Sequence, residues 1–357
     1  MENRRHTNRS EELMLDLARK AALAAAILVS GAVQPALAQD QVTLKFTHMF
    51  PPTHFGWKEG GQPFTEMITE ATGGEVQFQN FPAGQLGKDY IGLLGSGLAD
   101  MAVLVGSYMP DKLPLTSVSE LPVKYGSACE ATGKLWAIAQ PGGPLYEAEY
   151  KPQGLRPLFV AVLPTYKAMT TSRELRTLDD LKGLKLRASG AAMEQTARAL
   201  GAVPVQIQAP EVNDSLRRGT MDGAFWPYHS APPYELDTLF KYGLEGPSLG
   251  STSVIFAISE KKWEGLSDKA KAAFEEAAAQ MQPRFCKWLD QDEARVRQEM
   301  IDQHGYVPVT VSAEEEPRWQ EKLAPVIDAW AQRMDGQGLS GTAILQAFHD
   351  AQPLGVD

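Results

Sequence analysis

Residues 184–226 read LKLRASGAAMEQTARALGAVPVQIQAPEVNDSLRRGTMDGAFW, and the order of signals within them decides the fold. Leu184-Lys185-Leu186-Arg187 reads as the end of a strand. A helix is predicted from about Ala191 to Leu200, with Gly201 as its stop. Val205 and Ile207 alternate as the next strand, and Glu211–Arg218 forms a short helix. Gly219-Thr220-Met221-Asp222 then leads into a third strand, Ala224-Phe225-Trp226.

The same order occurs upstream. Val42, Leu44 and Phe46 alternate as a strand, and Trp57, Phe64, Ile68 and Ala71 share one face of a helix. Gly73-Gly74 ends that helix, and Val76 and Phe78 begin a second strand. A short helix near Asp89–Leu94 and Gly97-Leu98-Ala99-Asp100 lead into the apolar run Met101–Val105. Two βαβαβ units, each closing on Gly-x-x-Asp, predict two similar α/β lobes with largely parallel sheets. The chain has 357 residues, which suits two cores better than one. Ser267 is expected to cap a helix running to His304, with Gly305 as its stop. At 1.5 Å per residue such a helix is roughly 57 Å long, enough to lie across both lobes, and Pro283 is expected to kink it. The tail adds a helix over Pro317–Met334. The lobes are therefore interwoven: 39–163 with 252–291, and 164–251 with 292–357.

The N-terminus stands apart. Arg19-Lys20 precede an apolar run from Ala21 to Val33, and Ala36-Leu37-Ala38 has the small-x-small pattern cut by signal peptidase. The run is shorter than the roughly 20 residues of a membrane span, so residues 1–38 are expected to be a cleaved signal, cut after Ala38. Met14 would open a leader of more usual length than Met1. Residues 1–38 carry five Arg and Lys against four Asp and Glu, so the net charge goes from −10 to −11 without them. That acidity argues against a nucleic-acid partner, whose phosphates demand clustered cations. An oxidising compartment permits a bridge between Cys129 and Cys286, but their apolar, helix-like surroundings favour two buried free thiols.

Several runs carry a family likeness. Leu181-Lys182-Gly183-Leu184-Lys185-Leu186-Arg187 resembles the signature of DctP-type solute-binding proteins of tripartite ATP-independent periplasmic (TRAP) transporters. Gly84-Gln85-Leu86-Gly87, Leu200-Gly201-Ala202-Val203-Pro204-Val205 and Gly219-Thr220-Met221-Asp222-Gly223 continue the match over about residues 40–350. The resemblance implies a periplasmic-binding-protein fold, with two lobes around a cleft joined by hinge strands and a long spanning helix. It also implies a small organic acid between the lobes and delivery to a sodium-driven membrane permease. The protein is expected to be periplasmic and to work as a monomer.

Arg187 matches the family's signature cation. At a strand end its planar fork offers donors to both oxygens of one carboxylate. Ser189 stands where relatives often have Pro and adds a hydroxyl. Lys167 matches a position where sialic-acid-binding relatives carry a second arginine. Trp226 falls at the cleft position after Gly223-Ala224, where an indole presents a flat face and an N–H. Some relatives use a Glu before this Trp around a metal; here Phe225 stands there, so no metal and no other cofactor is expected. Phe225 itself is a candidate ligand contact, and Tyr228 and His229 are expected at the rim. From the first lobe, His54, Asp89 and Tyr108 sit in loops at the C-terminal ends of predicted strands, where ligands lie in such sheets.

The sequence argues against an enzyme. Gly246-Pro247-Ser248-Leu249-Gly250 has the nucleophile-elbow pattern, but a strand over Thr252–Ile258 follows where a helix should begin. No nucleophile and base can be assembled from the remaining motifs. A ligand sensor that contacts a receptor kinase is the other reading, since closure on a ligand serves either partner. The aromatic run at 225–228 favours a monocarboxylate with an apolar or aromatic body, or a 2-oxo acid; a dicarboxylate follows if Lys167 faces inward.

Overall fold

The computed structural model describes residues 41–355, so the expected signal lies outside the described residues. The chain first lays down β1 (Val42–Thr47), β2 (Val76–Phe81), β3 (Met101–Val105) and β4 (Leu155–Val162). Helices α1 (Gln62–Ala71), α2 (Tyr90–Ser96) and α3 (Ala128–Ala139) connect them. It then crosses over and builds β5 (Lys167–Thr170), β6 (Lys185–Ala188), α4 (Ala191–Ala199), β7 (Val203–Gln206), α5 (Val212–Arg217), β8 (Gly223–Trp226) and β9 (Tyr242–Glu245). It returns in β10 (Ser253–Ser259), followed by α6 (Glu260–Glu264), α7 (Asp268–His304), β11 (Val307–Thr310), α8 (Glu316–Gly336) and α9 (Gly341–Asp350).

The two sheets run β2-β1-β3-β10-β4 and β11-β9-β5-β8-β6-β7. The parallel core of the first, β2-β1-β3, reappears in the second as β7-β6-β8. In each lobe a strand arriving from the other lobe, β10 or β5, packs antiparallel against the third strand of the unit. This exchange makes the hinge. Leu163 and Tyr166 donate backbone N–H groups to Thr252 and Gly250 carbonyls, at 2.9 Å each, so the two crossings run side by side.

Local chemistry sets the boundaries. Leu44 and Phe46 are buried on one side of β1 while Lys45 is exposed, the alternation of a half-buried strand. The Ser267 hydroxyl accepts from the Ala270 N–H at 3.0 Å and opens α7. Gly305 closes it at φ 65°, a left-handed conformation that glycine adopts without steric cost. Helix α7 continues through Pro283 as one element of 37 residues. Its N-terminal half packs Phe274 and Met281 into the first-lobe core, and Val296 and Met300 lie in the second-lobe core.

Two expectations need correction. Cys129 and Cys286 form a disulfide, with Cα atoms 4.8 Å apart. The cause is a helix crossing invisible over a separation of 157 residues. Asp290, one turn beyond Cys286 on α7, accepts the Ala128 N–H at 2.7 Å and so docks the start of α3 onto α7. The segment 292–357 is also not confined to the second lobe. Trp330 and Met334 of α8 and Ile344 and Phe348 of α9 share the first-lobe core with Leu135 of α3, because their apolar faces find an uncovered flank there.

Candidate functional site

Strand β8 alternates, so Ala224 and Trp226 face one way and Phe225 the other. Arg187 on β6 pairs in register with Ala224, which brings its side chain beside Trp226. The guanidinium carbon lies 4.9 Å from the centre of the indole ring. Arg187 is 1% exposed. Its Nε donates to the Ile207 carbonyl at 3.1 Å and one Nη donates to the Tyr108 hydroxyl at 3.0 Å. No carboxylate among the described residues pairs with it. A buried cation without a counter-charge is costly unless an anion arrives to share the site.

The groups around Arg187 are donors as well. The Trp226 Nε1–H is buried with no acceptor among the described residues. Tyr108, from the first lobe, accepts from both Arg187 and the Ala209 N–H, the latter at 3.1 Å, which leaves its own proton to donate. His54, also from the first lobe, accepts the Gly56 N–H on Nδ1 at 3.0 Å, so its Nε2 carries the proton and donates to the Tyr234 hydroxyl at 3.2 Å. Burial, aided by His229 and His48, holds the His54 pKa down to about 3, so this ring is neutral. Tyr234 accepts that bond and keeps its own proton free.

Arg187, Trp226, Tyr108, His54, Tyr234 and Ser230 line a chamber of about 50 Å³ between the lobes, with Phe50, Phe55 and Phe285 on its apolar wall. None of its lining residues is Asp, Glu or Lys. A larger cleft of about 640 Å³ lies outside it and shares Met49, Val105, Tyr108 and Tyr234 as walls. One cation and several unfilled donors in a chamber without acid describe an anion pocket. Taken from water, the charge pair strengthens as the local dielectric falls.

The lobes touch at more than these hydrogen bonds. A Cβ built on Gly190 would stand 2.8 Å from the Cβ of Ser107 across the cleft. Only a glycine permits this approach. Gly190→Ala is expected to hold the lobes apart and weaken ligand affinity by about 1–3 kcal/mol, the cost of overpacking. Calorimetry checks this, while the thermal stability of the ligand-free variant should be little changed.

Six of the sequence candidates do not line the chamber. Phe225 is fully buried in the core on the opposite face of β8, as the two-residue period requires. Lys167 stands across from Trp226 in register, but its ammonium is paired with Glu293 of α7 and lies 5.0 Å from the centre of the Tyr228 ring. Asp89 caps α2, accepting the Gly92 N–H at 3.1 Å. Ser189 is buried against Thr252 Oγ1 at 3.0 Å and the Met193 sulfur at 3.5 Å. Tyr228 and His229 are each 1% exposed, so neither is a rim residue, and neither lines the chamber. The sequence reading missed Tyr234 and Ser230. Both lie in the irregular turn after Pro227, where no periodicity announces direction.

The match to known proteins agrees with this geometry. Residues 46–333 match the family model of the bacterial extracellular solute-binding proteins, family 7, called DctP. The chain belongs to this family. A DctP relative, the C4-dicarboxylate-binding periplasmic protein of Rhodobacter capsulatus, is 26% identical over 86% of this chain and 91% of its own length. The fold matches a TRAP solute-binding protein of an unidentified marine microbe, specific for aromatic acids and crystallised with metahydroxyphenylacetate. The TM-score is 0.80 at 23% identity, covering 87% of this chain and 98% of that one. A TRAP solute-binding protein of Bordetella bronchiseptica with bound mandelate matches with a TM-score of 0.77 at 24% identity, over 87% and 98% of the two chains. The chain is thus a DctP-type solute-binding protein with two α/β lobes, from a family whose members are extracytoplasmic. Among the described residues, no helix is long and apolar enough to cross a membrane.

Proposed function

We propose that this DctP-family protein captures a small monocarboxylate between its lobes and delivers it to the permease of a TRAP transporter. The observation that carries the reading is the Arg187 guanidinium, buried in a chamber that has no carboxylate to balance it. Closure follows from the placement of donors: Arg187, Trp226 and Tyr234 come from the second lobe and Tyr108 from the first, where His54 holds the Tyr234 hydroxyl. An anion between them links both lobes at once. Aromatic-acid-binding neighbours support an apolar body, whereas the C4-dicarboxylate relative argues for a second carboxylate. Arg187 is the only cation of the deep chamber and Lys167 is held by Glu293, which favours one carboxylate, placed deep, with the body directed towards the outer cleft. Export with cleavage after Ala38, and action as a monomer, complete the proposal.

A thermal-shift screen against an organic-acid library tests it, because a ligand at 100 times its Kd stabilises by about 2.7 kcal/mol. Monocarboxylates with apolar bodies should give the largest shifts; shifts from dicarboxylates or neutral sugars alone would refute the assignment. A hydrolase reading has one observation in its favour: Ser230, His229 and Glu293 stand in hydrogen-bonded sequence. Steady turnover of 4-nitrophenyl acetate would support it, whereas a receptor binds stoichiometrically and leaves the ester intact.

A further inference from the structure

We propose that Ser230 makes this chamber selective for acids that carry a hydroxyl beside the carboxylate, that is, 2- or 3-hydroxy acids. The inference rests on the carboxylate reading above and adds the ligand's second group. Arg187, Trp226, Tyr108 and Tyr234 present donors to the chamber and Ser230 is placed to accept; the Thr252 hydroxyl, which also lines it, is engaged by Ser189 at 3.0 Å and by Tyr166.

The direction of its hydrogen bond is set from the far end of a buried chain. Glu293 on α7 is largely buried. Burial opposes its ionisation, but Lys167 and His229 hold its pKa down to about 2, so it is a carboxylate and only accepts. One of its oxygens takes the Lys167 ammonium, and the other takes both the backbone N–H of His229, at 2.9 Å, and its ring Nδ1, at 3.0 Å. Nδ1 is therefore the protonated nitrogen of the His229 ring. In the neutral ring Nε2 is then the acceptor, and it lies 2.9 Å from the Ser230 hydroxyl. Ser230 commits its single proton to Nε2, and its lone pairs remain for the chamber it lines. Glu293 and His229 are positioning residues here; they touch no ligand but fix which way the serine points.

The chamber size places the second group. At about 50 Å³ against the 640 Å³ of the outer cleft, the deep chamber takes the carboxylate and the atoms next to it, and the body of the acid lies outward. Ser230 lines this chamber and not the outer cleft. A donor reaching Ser230 thus sits on the second or third carbon of the acid. A hydroxyl fits. An ammonium does not, since the chamber has no carboxylate to balance a second cation beside Arg187. A 2-oxo acid brings an acceptor to an acceptor and leaves both unpaired.

The test is calorimetric titration of the purified full-length mature protein with matched probes: propionate against lactate, and 3-phenylpropionate against 3-phenyllactate and phenylpyruvate. The hydroxy acid of each set should bind at least tenfold more tightly than its parent, and phenylpyruvate no more tightly than 3-phenylpropionate. In Ser230→Ala the hydroxy acid should lose affinity relative to its parent until the preference falls to within about twofold, and Ser230→Thr, which keeps the hydroxyl, should restore most of it. Equal affinities within each wild-type set, or a preference that survives Ser230→Ala, would overturn the role of Ser230 while leaving carboxylate capture intact. If no probe of any set binds, the carboxylate reading falls and this inference with it. Should Ser230→Ala fail to fold by circular dichroism, the wild-type comparison alone decides between these outcomes.

Discussion

Arg187→Ala is expected to weaken binding of the acid by at least about 2 kcal/mol, roughly thirtyfold, because the ligand's charge would be buried without a partner. The ligand-free variant should remain folded. Arg187 has no carboxylate to leave behind, and its loss removes its contact with the Trp226 ring and bonds to the Ile207 carbonyl and the Tyr108 hydroxyl, the bonds worth about 0.5–1.5 kcal/mol each when neutral and somewhat more for a charged donor. Arg187→Lys should also bind more weakly, since a planar fork that meets two oxygens becomes a single point charge. Titration calorimetry on the three proteins reads this directly. An Arg187→Ala variant with unchanged affinity would remove the anion site from the cleft.

The second large effect concerns stability. Removing the Cys129–Cys286 bridge, by the double Cys→Ala variant or by reductant, should cost about 2–5 kcal/mol, because the bridge closes a long loop in the unfolded chain. The separation of 157 residues puts it at the upper end of that range. In a protein of this size each kcal/mol moves Tm by about 1–2 °C. Since the cysteines are 2% and 0% exposed, reductant should act only on partly unfolded molecules. Urea unfolding of wild type with and without reductant, beside the double variant, checks it. Coincident curves for all three would show that the helix packing of α3 on α7 suffices.

What the sequence could and could not carry follows from the range of each signal. The paired βαβαβ order, the Ser267 cap and the Gly305 stop are local, and the structure reproduces them almost residue for residue. Arg187 and Trp226 were legible because strand alternation and the family motif both place them at sheet ends facing the cleft. Phe225 shows the cost of reading a motif without its period: the residue beside a cleft tryptophan on a strand must face the other way. Lys167 and Cys129 were decided by α7, whose Glu293 and Cys286 lie more than 120 positions downstream. No spacing rule links residues so far apart. Ser230 and Tyr234 occupy short irregular turns, where direction depends on packing alone.

The acid that gives the largest thermal shift should be titrated beside its primary amide, which keeps the shape and removes the charge. If the Arg187 chamber recognises a carboxylate, the amide should bind at least about thirtyfold more weakly, a difference of about 2 kcal/mol. Equal affinity for acid and amide would contradict it.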